Sequence, residues 1–226
     1  MISIVTVVYN AVRDIEQTIL SVIAHKDSQV EYVVVDGGSS DGTVEIIKRY
    51  ADHISVWISE PDAGIYAAMN KGIALAKGEY ICFINCGDLL LQVPMEQLLA
   101  AGSDLVCFPV KLSSGEVMQP TISSIIKLKN TLPHQGCFYK KDQHLVFDEQ
   151  YRVFADFALN QNFYKAGRKI CTFNAPIVAH HDLGGISHNK AHESEIFRVI
   201  KHNYGLTYLL LSWLHFKYQG LKARIR

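Results

Sequence analysis

The 226-residue sequence lacks an excess of either charge, a C-x-x-C pair, an internal repeat and a low-complexity stretch. With 22 Lys+Arg against 22 Asp+Glu, no basic field is present to draw in nucleic acid, so that partner class is set aside. The five cysteines, Cys82, Cys86, Cys107, Cys137 and Cys171, are scattered through mostly apolar runs. They lack the spacing of a zinc site or a disulfide framework, and reduced thiols in a cytosolic protein are the plain expectation. No uncharged apolar run approaches the roughly 18 residues of a membrane span. Met1 leads straight into an Ile- and Val-rich run with no basic n-region or small-residue cleavage site, so no secretory signal is expected.

What is present is an alternation of β-branched runs and helical periodicity. Residues 2–9 form an apolar run. Asp14 then opens a segment with Ile15, Ile19, Val22 and Ile23 at helical spacing, and Tyr32-Val-Val-Val35 is a second strand. The unit repeats through a turn at 37–42, a helix over 43–51 and a strand over 54–58. A helix over 63–77 with Gly78 past its end then leads to a strand at Tyr80-Ile-Cys-Phe-Ile84. Continuous apolar strands, rather than alternating ones, predict a mostly parallel sheet covered on both faces. Further on, Leu105 to Val110 reads as a strand, Lys111 to Gln119 as a hairpin around Ser114-Gly115, Pro120 to Lys129 gives no clear pattern, and Phe154 to Ala166 reads as a helix. Gly184-Gly185 breaks the chain before a last helical segment from about His192. The expected division is a domain over 1–190, with a ligand-binding half over 1–90 and an acceptor half over 91–190, and a helical extension over 191–226.

Acids stand at the carboxyl ends of the early strands, where ligands bind in open α/β sheets: Asp36, Asp62 and Asp88. Carboxylates gathered on one rim repel one another, and a divalent cation carrying a diphosphate would reconcile them. The same Asp, Asn and Gly residues also make ordinary turns, so Asp88 reads as a metal ligand or as the end of its strand, and Asp36 as a ligand or a turn former. Asp41 reads as the cap of the helix that follows it.

The stretches TVVYNA (6–11), VVVDGGSSDGT (33–43), EPDAGIYAAMNKGIALAKGEYICFINCGD (60–88) and FADFAL (154–159) together resemble the family 2 glycosyltransferases, closely over the first ninety residues and more loosely beyond. The resemblance implies a GT-A fold, an inverting transfer from a nucleotide-diphospho-sugar, a UDP-sugar in the first instance, and Mn²⁺ or Mg²⁺ as the cofactor. It places Val8 and Tyr9 at the nucleotide base, Asp36 in a hydrogen bond to the base, and Asp62 and Lys71 beside the donor, with Lys71 near the nucleotide or its phosphates. Cys86 and Gly87 stand where the family commonly carries the first acid of an Asp-x-Asp or Asp-Asp pair, leaving Asp88 as the metal acid and His181 as a late ligand. Asp156 matches the catalytic base, and Val153, Phe154 and Phe157 would desolvate it. Without the resemblance, Asp156 reads as an acid favoured by a helix dipole. His134-Gln135 resembles an acceptor-side segment, and Gly184-Gly185-Ile-Ser187 a loop near the site.

Residues 204–226 mix Leu, Trp, Tyr and Phe with Lys217, Lys222, Arg224 and Arg226. Such a segment suits the surface of an anionic membrane, and equally a helix packed on its own domain or a homodimer contact. On the membrane reading the acceptor is a lipid-linked saccharide of bacterial surface polysaccharide, met at the cytoplasmic face. Among rival readings, a nicotinamide dehydrogenase fails because GGSSDG is not G-x-G-x-x-G and follows the second strand. A nucleotidyltransferase would carry a glycine-rich loop after the first strand, where this chain has VVYNAV. A catalytically inactive sugar-nucleotide-binding or scaffolding protein stays open.

Overall fold

The computed structural model describes residues 1–184 and 192–225, without the side chains of 193 and 219–225. The chain opens with β1 (Ile2–Val8), α1 (Ile15–Ile23), β2 (Val30–Asp36), α2 (Thr43–Arg49), β3 (Val56–Ser59), α3 (Ile65–Leu75) and β4 (Tyr80–Phe83). It continues with β5 (Leu89–Leu90), α4 (Met95–Ala101), β6 (Leu105–Cys107), β7 (Val110–Leu112) and β8 (Val117–Met118). Then come β9 (Cys137–Lys140), α5 (Ala155–Lys165), β10 (Ile170–Thr172), β11 (Ala179–His181) and α6 (Glu193–Ile225).

Seven strands form the main sheet in the order β10-β6-β9-β4-β1-β2-β3. Every neighbouring pair is parallel except those of β9, which runs antiparallel to both β4 and β6. Alternate residues of each strand go to opposite faces, and both faces are covered. Val5, Val7, Val33, Val35, Ile81 and Phe83 pack under α3 and α5, while Ile4, Val8, Tyr32, Val34, Cys82 and Ile84 join the core that includes residues of α1 and α2. That double burial is why the strands read as unbroken apolar runs. A smaller sheet, β5-β11-β7-β8, lies beyond the carboxyl end of β4, and its β7–β8 pair is the expected hairpin. The stretch 120–129, patternless in sequence, holds a short 3-10 helix at Ser124–Lys127.

Gly72 and Gly136 are among the glycines required by close approach rather than by flexibility. A Cβ on Gly72 would lie 2.5 Å from Cγ1 of Val5, so α3 crosses β1 at a distance only glycine allows. A Cβ on Gly136 would lie 2.2 Å from the carbonyl oxygen of Phe108, whose own amide donates to Gly136 O at 2.9 Å. The cysteines are all free; Cys107 and Cys137 sit opposite each other across β6 and β9 with Sγ atoms 3.5 Å apart.

Candidate active site

The cleft sits where β4 ends and the small sheet begins, with a volume of about 510 Å³. Cys86, Gly87, Asp88, Asp156 and His181 all line it, together with Tyr66, Asn85, Asn130, His134, Gln135 and Arg152. Residues more than ninety positions apart in sequence thus share one wall.

The turn after β4 is built by its neighbours. Gly87 adopts φ +97°, a left-handed conformation that β-carbon-bearing residues avoid. Its amide donates to Oγ1 of Thr18 at 3.0 Å, and that hydroxyl donates to the carbonyl of Asp88 at 2.9 Å, so α1 fixes the turn from below. Asp88 is 5% exposed. One carboxylate oxygen receives the amide of Asp182 at 3.1 Å and lies 2.7 Å from Nδ1 of His181; the other receives Nε2 of Gln135 at 2.8 Å.

Gln135 Nε2 also lies 2.7 Å from His181 Nδ1. That nitrogen cannot donate to Asp88 and accept from Gln135 at the same time. With Nδ1 bare, Gln135 bonds both neighbours, and the imidazole nitrogen and carboxylate oxygen present lone pairs to each other. Asp88 and His181 are the cleft's candidate ligands for a divalent cation that would take its remaining ligands from phosphate and water. Among the described residues no group of three or more His, Cys, Asp or Glu side chains is arranged to hold a metal. Cys86 adds no charge: burial, followed by the acids Asp14, Asp88 and Asp41, pushes its thiol up to about 12.

Asp156 lines the same cleft from the first turn of α5 and is 9% exposed. Its two oxygens lie 3.1 Å from the hydroxyl of Tyr66 and 3.3 Å from Nδ2 of Asn130. Phe157 is buried as expected, and Tyr66 and Asn130 supply polar contacts to the carboxylate. Glu195, on the first turn of α6, sets the loop before α5. Its carboxylate accepts the successive amides of Arg152, Val153 and Phe154 at 2.9, 2.7 and 2.8 Å. Burial opposes ionisation of Glu195, yet those three bonds, with Arg198 beside them, leave its carboxyl below the usual range.

His134 lies between the two acids. Its ring stacks on Phe83 with centroids 5.5 Å apart, and both ring nitrogens are buried without a hydrogen-bond partner among the described residues. Burial lowers its pKa, against the pull of Asp156 and Asp88. It therefore offers one neutral N–H donor and one nitrogen acceptor at the cleft wall.

The remaining expected residues fall elsewhere. Val8 turns its side chain into the core at 5% exposure, and only its carbonyl is engaged, by the amide of Gly37 at 2.9 Å. That side chain lies in the core because alternation along β1 points it inward. Tyr9, 65% exposed, stands beside Gly37 and Asp62: a Cβ on Gly37 would lie 3.4 Å from its ring and 2.8 Å from an oxygen of Asp62. Asp36 is fully buried and holds its own loop, accepting the amides of Gly38 and Ser39 at 3.1 and 2.9 Å and the hydroxyls of Ser39 and Ser59. A base could reach it only after some of those bonds open. Lys71 is committed to Glu60 at 2.8 Å and the carbonyl of Pro61 at 3.0 Å, and it lines a shallow pocket with Asp62 and Glu149 rather than the cleft. Asp41 stands one residue before the N-cap of α2, which is Gly42, rather than at it; one of its oxygens accepts the amide of Thr43 at 3.0 Å and the other the amide of Val12 at 3.0 Å. Gly184 lines the cleft; the rest of the expected loop, Gly185 to Ser187, falls outside the described residues.

Sequence reading missed Tyr66, Asn130, Arg152 and Glu195 as site residues. Tyr66 lies inside the stretch 60–88 singled out above and Arg152 four positions before Asp156, so both could have been noticed.

The glycosyl transferase family 2 model matches residues 3–161. The chain belongs to that family. A Mycobacterium tuberculosis relative described as an uncharacterized glycosyltransferase is 32% identical over 151 residues, covering 61% of this chain and 58% of its own. The chain thus spans just over half the length of such relatives. A PGL/p-HBAD biosynthesis glycosyltransferase of Mycobacterium bovis is 27% identical over 202 residues, covering 83% of this chain and 79% of its own. Among solved structures, Staphylococcus aureus TarS (residues 1–349) in complex with UDP-GlcNAc superposes with a TM-score of 0.69 at 19% identity. The match covers 89% of this family 2 chain and 66% of that one. The mannosyltransferase PcManGT of Pyrobaculum calidifontis, in complex with GDP-Man and Mn²⁺, gives a TM-score of 0.60 at 16% identity. These likenesses establish the GT-A fold.

Proposed function

We propose that this family 2 chain is an inverting glycosyltransferase that moves a sugar from a UDP-sugar to a hydroxyl of a saccharide acceptor in the building of bacterial surface glycans. The observation that carries the reading is the pair of buried acids, Asp88 and Asp156, lining one cleft at the carboxyl end of the sheet. Relatives named for glycan biosynthesis, and a fold neighbour with UDP-GlcNAc bound, support the donor class.

Asp88 and His181 would hold a divalent cation, which supplies positive charge to the leaving diphosphate. Asp156 takes the proton of the acceptor hydroxyl as its oxygen bonds to the anomeric carbon, on the face opposite the departing phosphate oxygen. Tyr66 and Asn130 hold that carboxylate in place. Arg152, lining the same cleft, adds a cation beside it. Tyr9, Asp36 and Asp62 shape the loops at the ends of β1, β2 and β3, where the nucleotide base is accommodated. The acceptor is lipid-linked if the protein works on a membrane, at its cytoplasmic face.

The neutral Cys86 favours a second reading, a sugar-nucleotide-binding protein without transfer activity, because one acid of the usual pair is gone. Calorimetric titration of UDP, GDP and their sugar conjugates, with and without Mn²⁺, into wild type and Asp88→Ala separates the readings. Mn²⁺-dependent binding of UDP species, lost in the variant, together with product formation supports the enzyme. Binding without turnover of any acceptor or of the donor itself supports the second reading, and no nucleotide binding ends both.

A further inference from the structure

The C-terminal helix is mounted with its apolar side outward. At Gly205 the backbone leaves helical geometry, with φ +80° and ψ −172°, and α6 resumes beyond it. The inner side of this second half is polar and aromatic. Tyr204 and Tyr208 surround the ammonium of Lys127, whose Nζ lies 5.6 and 5.2 Å from their ring centroids, and the buried Ser212 donates to the carbonyl of Leu128 at 2.7 Å. The outer side carries Leu206, Leu210 and Trp213 at helical spacing, flanked by Leu211, Leu214 and Tyr218, all between 45% and 67% exposed. A surface helix ordinarily buries such a stripe against its own domain.

Charge identifies what covers it. From residue 196 to 226 there is no Asp or Glu, while Arg198, which pairs with Glu195, and Lys201, Lys217, Lys222, Arg224 and Arg226 are basic. A second copy laid on this face by a two-fold axis, parallel or antiparallel, would set cations against cations. An anionic surface has the opposite sign and accepts the leucines and the tryptophan at the same time. Lys217 sits over the Trp213 ring at 4.6 Å, pairing a cation with an apolar ring on one side of the helix.

We infer that residues 206–218 form a docking surface for an anionic lipid bilayer, with the Leu206, Leu210 and Trp213 stripe entering the headgroup boundary and the basic residues meeting lipid phosphates. The surface stands on its own geometry; only its role in presenting a lipid-linked acceptor rests on the transferase reading. Among the described residues no helix is long and apolar enough to cross a membrane, so the contact is one of lying on the surface.

The test is cosedimentation of the full chain with phosphatidylcholine vesicles and with vesicles containing phosphatidylglycerol, at low and high salt. Leu210→Glu/Trp213→Glu serves as the variant, its fold checked by circular dichroism and by UDP titration alongside wild type. Binding to the anionic vesicles alone, weakened by salt and reduced roughly tenfold or more in the variant, is the expected result. Equal binding of variant and wild type, or no binding to either vesicle, overturns the surface. A dimer in sedimentation velocity that the variant dissolves, without vesicle binding, overturns it in favour of a second copy. Failure of wild type to bind UDP would remove the transferase reading and leave the vesicle result standing.

Discussion

Asp36 and Asp88 are written in the same grammar, an apolar strand followed by an acid and glycine, yet the two loops use that acid in opposite ways. At the end of β2 the carboxylate is fully buried and spent on the amides and hydroxyls of its own loop and of Ser59. At the end of β4 the carboxylate meets His181 and Gln135, side chains brought from remote segments, at the wall of a cleft. A strand-end acid therefore marks the ligand edge of the sheet, but whether it faces a ligand depends on which donors reach it first.

Several substitutions test how far that contrast goes. Asp156→Asn, in the same cleft as Asp88, is expected to lower kcat by roughly 10²–10⁴-fold with donor binding intact, as read by product formation and calorimetry. A near-normal rate would remove the base and with it the reason for pairing the two acids. Asp36→Ala strands buried donors at Gly38, Ser39 and Ser59, and is expected to cost about 3 kcal/mol in urea unfolding. Asp88→Ala should cost less stability and instead abolish Mn²⁺-dependent nucleotide binding. The contrast breaks if the two phenotypes are exchanged.

Smaller effects sharpen the picture. Cys86→Asp, which places a second acid beside Asp88, should tighten Mn²⁺ binding by about tenfold in a fluorescence titration; unchanged affinity would mean that position 86 does not face the ion. His134 has a folded-state pKa lowered by burial, so the unfolded chain binds the extra proton first as pH falls. Stability should be full above the unfolded value of about 6.5 and decline below it through the folded value. His134→Phe should flatten that part of the curve. A decline of the same size in the variant would place its origin in another group.

The fold was legible where local rules coincide with tertiary burial. β1, β2 and β4 announce themselves because both of their faces are covered, and α3 and α5 because their apolar residues recur at helical spacing. β9 escaped notice: Cys137 to Lys140 is short, and its antiparallel insertion between β4 and β6 depends on partners far away in sequence. Asp156 was legible only through its resemblance to a family stretch. Tyr66, Asn130 and Glu195 were not, since each is an ordinary helix or loop residue until folding sets it against Asp156 or the loop before it.

The sequence by itself determined the parallel α/β core, the edge of the sheet where acids gather, and the family, because periodicity and short contiguous stretches carry those properties. Tertiary structure alone decided that Asp36 is consumed while Asp88 lines the cleft, that Lys71 pairs with Glu60, and that the last helix turns its leucines outward. Each of these depends on which group from a distant segment satisfies a charge or covers an apolar face, and no local pattern encodes that choice.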